Sequence, residues 1–218
     1  MILTAYLILA YLLGAFPTAV VLSRLIGGIN IREHGSGNAG ATNAWRVLGW
    51  KAGVPVLLID LGKGALAAGL IPLLPLGHVP VDAATLGVLC GVVAVLGHVF
   101  PVYSRFHGGK GVATAAGMLA VVAPAPVGIA AGLFVLLLVS SGLVSLGSIL
   151  AAWTIPVSVL FLPSAIQAER PPALIVLVFA LAAFITVTHR ANIVRLFRGT
   201  EPAFPKLQIW RRFSRRSQ

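Results

Sequence analysis

The sequence predicts an all-α membrane protein, a bundle of seven transmembrane helices with the N-terminus outside and the C-terminus in the cytoplasm. Three observations support this fold class: the composition, the apolar runs and the positions of the cations. Of the 218 residues, 58% are hydrophobic and only 10% are charged, whereas roughly 25% of the residues in a soluble domain are charged. A chain this apolar belongs in lipid, where helices satisfy their own backbone hydrogen bonds.

Seven apolar runs account for the predicted helices, because a span needs about 20 mainly apolar residues, or fewer where a helix is broken. The predicted spans are 2–23, 52–75, 82–102, 111–123, 126–141, 143–163 and 171–189. The fourth and fifth are short, and the segment Pro124-Ala125-Pro126 separates them because proline cannot continue a helix. We assign residues 1–202 to a single transmembrane domain and residues 203–218 to a basic cytoplasmic tail.

The cations predict the direction of insertion. The chain has 16 Lys and Arg against 5 Asp and Glu, an excess that suits an anionic membrane surface, nucleic acid or anionic substrates. Lys and Arg favour cytoplasmic loops, and seven crossings place 14 of the 16 on one side, leaving Arg170 opposite and Lys63 within a span. The 14 are Arg24, Arg32, Arg46, Lys51, Arg105, Lys110, Arg190, Arg195, Arg198, Lys206, Arg211, Arg212, Arg215 and Arg216.

Neither a cofactor nor a metal site is predicted. Cys90 is the single cysteine and lies in an apolar run, so neither a disulfide framework nor a thiolate metal cluster can form. His34, His78 and His107 lack metal-ligand spacing. Because the first cation is Arg24, the N-terminal run is predicted to be an uncleaved spanning helix and not a signal peptide.

The first cytoplasmic connection contains the segment HGSGNAGATNAWR at residues 34–46. Its glycines match the dinucleotide fingerprint GxGxxG, but that motif requires a strand before the loop, and here a membrane helix precedes it. Glycines let backbone N–H groups converge on an anion, and arginine can grip a phosphate with two hydrogen bonds. A flexible connection rich in turn residues is the alternative. The candidates are Ser36, Gly37, Asn38, Gly40, Thr42, Asn43 and Arg46.

The second cytoplasmic connection contains FHGGKGVAT at residues 106–114, which resembles part of a Walker A loop. Gly111 stands where the Mg²⁺-binding Ser or Thr would be, so nucleotide hydrolysis is not expected. Glycine amides, a helix N-terminus and an ammonium could still meet one phosphate, and the candidates are Gly108, Gly109, Lys110 and Gly111. Alternatively, Lys110 only marks the cytoplasmic face. Nearby His98 is a candidate base or hydrogen-bond donor, or a structural residue.

Three further polar groups complete the candidate list. His189 and Asn192 share a helix face after the seventh span, and Ser145 follows the fifth. A basic helix that binds anionic lipid is the alternative for the first two. Asp60 and Lys63 lie within the second span, where their spacing favours a structural ion pair, although charged residues within the membrane are also functional candidates.

Taken together, the segments SGNAGATN with Arg46, GHVFP with FHGGKGVAT, VSLGS and HRANIVRLFRGTE resemble the PlsY-type acyl-phosphate:glycerol-3-phosphate acyltransferases of bacterial phospholipid synthesis. The resemblance covers nearly the whole chain. It implies an enzyme of the bacterial cytoplasmic (inner) membrane that transfers a fatty acyl group from acyl phosphate to the sn-1 hydroxyl of glycerol 3-phosphate. The products would be lysophosphatidic acid and phosphate.

The resemblance also implies roles for individual residues. Ser36, Arg46, Lys110 and Asn192 would contact the polar substrates, with Asn38, Thr42, Gly109, His98 and His189 nearby. The partners would be the two substrates, membrane lipid and a transient soluble enzyme that produces acyl phosphate, without nucleic acid. The proton acceptor is either a substrate phosphate or His98.

Two other function classes stay open at this stage. A transporter for a phosphorylated solute would also use basic, glycine-rich helix ends, but transporters place their sites near the middle of the membrane. A structural lipid-binding protein would leave Arg46 and Lys110 in glycine loops without a purpose.

Overall fold

A computed structural model describes residues 1–163 and 172–204 of the chain. This part of the chain is helical and contains no β-strand, which confirms the all-α prediction. Its helices are α1 (Ile2–Ala15), α2 (Thr18–Gly27), α3 (Ala41–Leu48), α4 (Trp50–Gly69), α5 (Ala83–Val99), α6 (Val112–Val122), α7 (Pro124–Ser141), α8 (Val144–Phe161), α9 (Pro172–Thr188) and α10 (Arg190–Phe197). Arg170, Lys206 and the last four arginines lie outside the described residues.

In the described part of the chain, five helical segments are long and apolar enough to cross a membrane. They are Ile2–Gly27, Trp50–Leu73, Ala83–Ser104, Pro124–Ser141 and Val144–Phe161. Helices α9 and α10 meet this criterion only as a pair bent by 63°, and α6 is a shorter apolar helix. The structure therefore contains several membrane-spanning helices, while the number seven and the orientation of the termini stay predictions.

Prolines divide the chain at two places. The predicted first span is two helices, because α1 ends at Ala15 and α2 begins at Thr18, after Pro17. Pro124 and Pro126 lie within the first turn of α7 and not in a connection, since a helix tolerates proline where its amide N–H groups have no helical partner. The predicted break between the fourth and fifth spans is thus confirmed, but it is shorter than expected.

The structure divides into two compact units, Met1–Val122 and Ala123–Gln218. The predicted single domain of residues 1–202 stays a prediction. In the first unit α4 packs against α3 and α6, and α1 packs against α5. A methyl group added at Gly64 or Gly117 would overlap a backbone carbonyl of the opposite helix, that of Thr114 or Leu61. Glycine is therefore required where α4 and α6 approach each other.

In the second unit α8 packs against α7 and α9. The indole of Trp153 on α8 meets the ring of Phe179 edge to face, with centroids 6.2 Å apart, and donates to Thr186 Oγ1 over 3.0 Å. After α10 the chain returns to the turn between α7 and α8, where the Phe204 amide donates to the Gly142 carbonyl over 2.8 Å.

Candidate active site

The first loop of the candidate site is held together by Asn43. The Asn43 amide nitrogen donates to the carbonyls of Ile31 and His34 over 3.1 and 2.9 Å, and its oxygen accepts from the Ser36 amide over 2.9 Å. Asn43 is buried, so direct contact with a phosphate would break these bonds. Its position indicates that it shapes the loop around Ser36, whose side chain is exposed.

Helix α3 carries the second half of the predicted phosphate loop. Gly40 precedes the helix in extended conformation, and Thr42 and Arg46 lie one turn apart on it, which places them on one face. Both side chains are partly exposed. The segment was predicted to be a connection without a helix, but residues Ala41–Leu48 are helical. The signal was present, because the residues after Gly40 include Ala44 and Val47 at the spacing of a helix buried on one side.

The glycine turn of the second loop packs on the end of α5. The amides of Gly108 and Gly109 donate to the carbonyls of Val99 and His98, both over 3.2 Å. These two amides therefore satisfy the C-terminal carbonyls of α5 and are already engaged. Further along, Gly111 has a positive φ of 83°, a conformation that favours glycine, and α6 begins one residue later.

The two loops and His98 come together at Gly109. A methyl group added at Gly109 would overlap Nε2 of His98 and lie 3.2 Å from the carbonyl oxygen of Ala39. The Gly109 backbone therefore lies directly against the imidazole ring and beside the first loop. Lys110 follows Gly109 and is partly exposed. Within the first unit the structure thus brings the predicted second loop, the first loop and His98 into one place.

His98 belongs to a buried polar cluster that also contains Thr18, Asp60 and Lys63. Lys63 Nζ lies 2.9 Å from Asp60 Oδ1, which confirms the predicted ion pair. The same oxygen accepts a hydrogen bond from Thr18 Oγ1 over 2.9 Å and lies 3.7 Å from His98 Nδ1. The Lys63 ammonium also donates to the Phe16 carbonyl over 3.3 Å, at the break between α1 and α2.

The remaining candidates, Ser145, His189 and Asn192, lie in the second unit and are buried. His189 Nδ1 is 2.8 Å from the Ile185 carbonyl oxygen, so the ring is held against α9. Asn192 Nδ2 donates to Glu201 Oε1 over 2.6 Å. The Glu201 carboxylate therefore fixes the orientation of the Asn192 side chain, a contact that the sequence did not predict.

The position of Glu201 follows from the glycine before it. Gly199 has φ of 66°, and the Thr200 amide donates to the Arg195 carbonyl over 2.9 Å, the pattern of a Schellman cap that reverses the chain. Glu201 consequently returns to α10, where Arg195 Nε donates to its Oε2 over 2.8 Å. A left-handed glycine followed by an acidic residue was the signal that could have revealed this contact.

The electrostatics of Glu201 differ from those of an exposed carboxylate. Burial favours the neutral acid, but the hydrogen bonds from Asn192 and Arg195 outweigh burial, so the pKa of Glu201 lies below its ordinary value. The Ser145 hydroxyl faces the same carboxylate without a hydrogen bond of standard geometry. Glu201 is therefore an anion at neutral pH that orients Asn192 and Arg195.

The chemistry available to these residues is limited and specific. Among residues 1–163 and 172–204, no three His, Cys, Asp or Glu side chains lie close enough to hold a metal ion. The candidate groups are instead cations, amides, hydroxyls and glycine backbone. Such groups bind and orient anionic substrates.

Comparison with known proteins decides the family. Residues 4–199 match the family model described as glycerol-3-phosphate acyltransferase. The chain belongs to this family. A glycerol-3-phosphate acyltransferase of Salinibacter ruber is 44% identical over 91% of this chain and 91% of its own length. The corresponding protein of Bacillus velezensis is also 44% identical, over 93% of this chain and 97% of its own.

Solved structures of this family have the same fold. The crystal structure of PlsY (YgiH), an integral membrane glycerol 3-phosphate acyltransferase, in its glycerol 3-phosphate form has a TM-score of 0.80 and 34% identity, covering 94% of this chain and 96% of its own. The lysophosphatidic acid form has a TM-score of 0.79 and 32% identity, covering 95% and 98%. The resemblance to the PlsY-type family is thereby confirmed, and the chain is an integral membrane protein of that family.

Proposed function

We propose that this membrane-bound glycerol-3-phosphate acyltransferase of phospholipid biosynthesis uses acyl phosphate as its acyl donor. The acyl group goes to the sn-1 hydroxyl, giving lysophosphatidic acid and inorganic phosphate. One observation carries the proposal. The loop that leads into helix α3, which carries Arg46, meets the loop of Lys110 at the contact of Ala39, Gly109 and His98. Two loops that each lead to a cation suit a reaction in which both substrates carry phosphate.

The reaction needs positioning more than activation. The sn-1 hydroxyl oxygen attacks the acyl carbonyl carbon, the bond from that carbon to the phosphate oxygen breaks, and phosphate leaves with the electron pair. Acyl phosphate is a mixed anhydride with a good leaving group, so the protein's main contribution is to hold both reactants and stabilise their charge. The hydroxyl proton passes either to a substrate phosphate or to His98.

The candidate residues divide the work by their chemistry. Arg46 and Lys110 bind the phosphates, and Arg46 does so with two parallel hydrogen bonds. Ser36, Asn38 and Thr42 supply hydroxyl and amide groups to the polar substrates, with Gly37, Gly40 and Gly111 giving the backbone the freedom to approach them. In the second unit the candidate polar groups are those of Asn192, His189 and Ser145. Asn43, Gly108 and Gly109 hold the loops in shape, because their amide groups are engaged.

Transfer is direct, without a covalent acyl-enzyme. A serine nucleophile needs an adjacent base, and in the described part of the chain the Ser36 hydroxyl has no hydrogen bond to a histidine. The nearby His34 ring instead contacts the Asn30 carbonyl over 3.0 Å. Cys90 is fully buried among apolar side chains, so its thiol is not accessible to substrate.

The donor is tested with purified protein in detergent and radiolabelled glycerol 3-phosphate. Acyl phosphate, acyl-CoA and acyl carrier protein are offered separately, and the position of the acyl group on the product is determined. We expect lysophosphatidic acid acylated at sn-1 from acyl phosphate alone, without a soluble partner. Turnover with a thioester but not with acyl phosphate would contradict the proposal. Catalysis in detergent also separates an enzyme from a transporter, which needs a sealed compartment.

Direct transfer is tested by incubating the protein with labelled acyl phosphate without glycerol 3-phosphate, followed by denaturation and intact-mass analysis. We expect unmodified protein alongside normal turnover in a parallel sample. Stoichiometric label on Ser36 that moves into lysophosphatidic acid at the turnover rate would establish an acyl-enzyme instead.

The proposed location is the bacterial inner membrane, with seven spans, an external N-terminus and the loops of Asn38 and Lys110 in the cytoplasm. Single cysteines test it, and buried Cys90 gives little background. In intact cells an impermeant thiol reagent should label a cysteine at position 80 and not one at position 38. Labelling of a cysteine at position 38 would show that the orientation is opposite to the one proposed.

A further inference from the structure

The buried cluster around Asp60 does more than neutralise Lys63. We propose that Asp60 is a positioning residue for His98, which holds the imidazole so that Nδ1 carries the proton and Nε2 faces the Gly109 turn as a hydrogen-bond acceptor. The inference rests on the proposed function, because it assigns the orientation of a residue at the site where the two loops meet.

The His98 imidazole is buried between Asp60 and the Gly109 turn. His98 is 7% exposed, and its two nitrogens face opposite surroundings. Nδ1 lies 3.7 Å from Asp60 Oδ1, while Nε2 lies against the backbone of Gly109. An anionic oxygen on one side favours a proton on the nearer nitrogen, and the farther nitrogen of a neutral imidazole is then an acceptor.

The Asp60 carboxylate is held in place by its neighbours. Its Oδ1 atom is fixed from two directions, by Lys63 Nζ at 2.9 Å and by Thr18 Oγ1 at 2.9 Å. Lys63 is fixed in turn by the Phe16 carbonyl, which lies at the break before Pro17. The carboxylate therefore cannot turn away from His98 without breaking buried bonds. At 3.7 Å the contact with His98 exceeds hydrogen-bond length, and such contacts often tighten when substrate binds.

The contact with His98 goes beyond what an ion pair at the helix break requires. An ion pair that only closed the helix break would need Asp60, Lys63 and the Phe16 carbonyl. It would not need the carboxylate to face an imidazole, nor a glycine at 109 that lets the chain lie directly against that imidazole. The alignment of carboxylate, imidazole and loop is the arrangement by which an acid orients a histidine.

The test uses the double variant Asp60→Asn with Lys63→Gln, because removing both charges leaves no unpaired ion in the membrane. We expect kcat for acyl transfer to fall roughly 10- to 100-fold, the range lost when a histidine's orienting partner is removed at metal sites. The KM for glycerol 3-phosphate should change little. Asp82→Asn is the matched control, since Asp82 caps the N-terminus of α5, the helix that carries His98 at its other end. That control should keep its kcat.

A second measurement does not depend on activity. Solid-state NMR of protein labelled with ¹⁵N-histidine, with His98→Gln to assign the signal, reports which ring nitrogen is protonated. We expect a protonated Nδ1 in the unaltered protein and a mixture of tautomers in the double variant. A proton on Nε2 of the unaltered protein would overturn the inference.

Failure of the positioning role of Asp60 and failure of the proposed function give different experimental results. If the double variant and His98→Gln retain kcat while Arg46→Ala does not, the positioning role is wrong and the proposed function stands. If the unaltered protein does not use acyl phosphate, the proposed function fails, and the NMR result still decides the orientation of His98.

Discussion

Among the described residues each of the two units buries one carboxylate, Asp60 or Glu201, but the two carboxylates have different surroundings. Asp60 lies within a membrane-spanning helix, paired with Lys63 from the same helix and with Thr18 from a neighbouring one. Glu201 lies after the last described helix, where it joins Asn192 and Arg195. Arg195 is 36% exposed whereas the Glu201 side chain is 3% exposed. The first carboxylate is enclosed among helices, and the second lies at a helix end against a partly exposed arginine.

The difference shows what burial demands of a charge. An unpaired ion is strongly destabilising in lipid. The Asp60 carboxylate therefore needs the opposite charge of Lys63, from its own helix, before it can orient His98. At a helix end a carboxylate can be held by side-chain amides and one partly exposed cation. The expected consequences of substitution therefore differ between the units, and the following predictions test that difference.

The largest effect is expected from the cations of the first unit. Arg46→Ala and Lys110→Ala should each lower kcat/KM by roughly 100-fold or more, because charge-assisted hydrogen bonds to phosphate are the strong ones. Arg46→Lys should also be poor, since lysine lacks the forked geometry. Steady-state kinetics with glycerol 3-phosphate measures the loss, and Lys51→Ala, an exposed position nearby, is the control. Near-normal kinetics of folded Arg46→Ala would refute this role.

A stability effect is expected from the second unit. Glu201→Gln should lower the free energy of unfolding by about 1–3 kcal/mol, because it weakens the contact with Arg195 and disturbs the bond from Asn192. Thermal unfolding in detergent measures the change. Glu33→Gln is the control, since Glu33 is exposed and bonded only to a neighbouring asparagine among the described residues.

The pH dependence of that effect has a fixed sign. The pKa of Glu201 is lowered on folding, so its stabilisation is present above the ordinary value of 4.5 and is lost as the pH falls through the lower, folded value. The difference in melting temperature between the unaltered protein and Glu201→Gln should be full at pH 7 and shrink below pH 4.5. A difference that grows on acidification would contradict the assignment.

A smaller effect is expected where the loops meet. Gly109→Ala should lower kcat/KM by about tenfold, because its methyl group would displace the His98 ring and a misplaced group costs rate. Gly62→Ala is the matched control, since nothing lies within 4 Å of a methyl group there. Equal kinetics for the two variants would show that the close contact has no functional weight.

The smallest effect is expected from Thr18→Val. It removes one hydrogen bond to Asp60 but leaves the ion pair intact, so the loss of stability should be about 1 kcal/mol. Unfolding measurements should compare it with Thr4→Val, an exposed position on α1. A loss of several kcal/mol would mean that Thr18 contributes more to the Asp60 cluster than one hydrogen bond.

The sequence predicted those features that depend on local pattern. The all-α class, the ion pair of Asp60 and Lys63, and the burial of Cys90 all follow from apolar runs and helical spacing. Gly87 and Gly91, four residues apart on α5, also lie at close contacts, because added methyl groups would overlap Ala68 and Met118.

The features that the sequence did not predict depend on contacts between distant segments. The ties of Asn43 to Ile31 and His34, and of Glu201 to Asn192, form only when the loops fold back. The spacing of apolar residues along the chain contains no information about where a loop folds back onto a distant segment. The break at Pro17 was readable in principle, but a proline in an apolar run is compatible with a kinked span as well as with two helices.

The close approach of α4 and α6 has a mechanical consequence. At Gly64 and Gly117 the backbone of each helix lies so near the other that there is no room for a methyl group. Sliding one helix along the other would drive neighbouring side chains into that backbone, so the pair responds to lateral pressure or bilayer thinning as one stiff body. The break between α1 and α2 is coupled to this stiff pair, because Lys63 on α4 donates to the Phe16 carbonyl at the break.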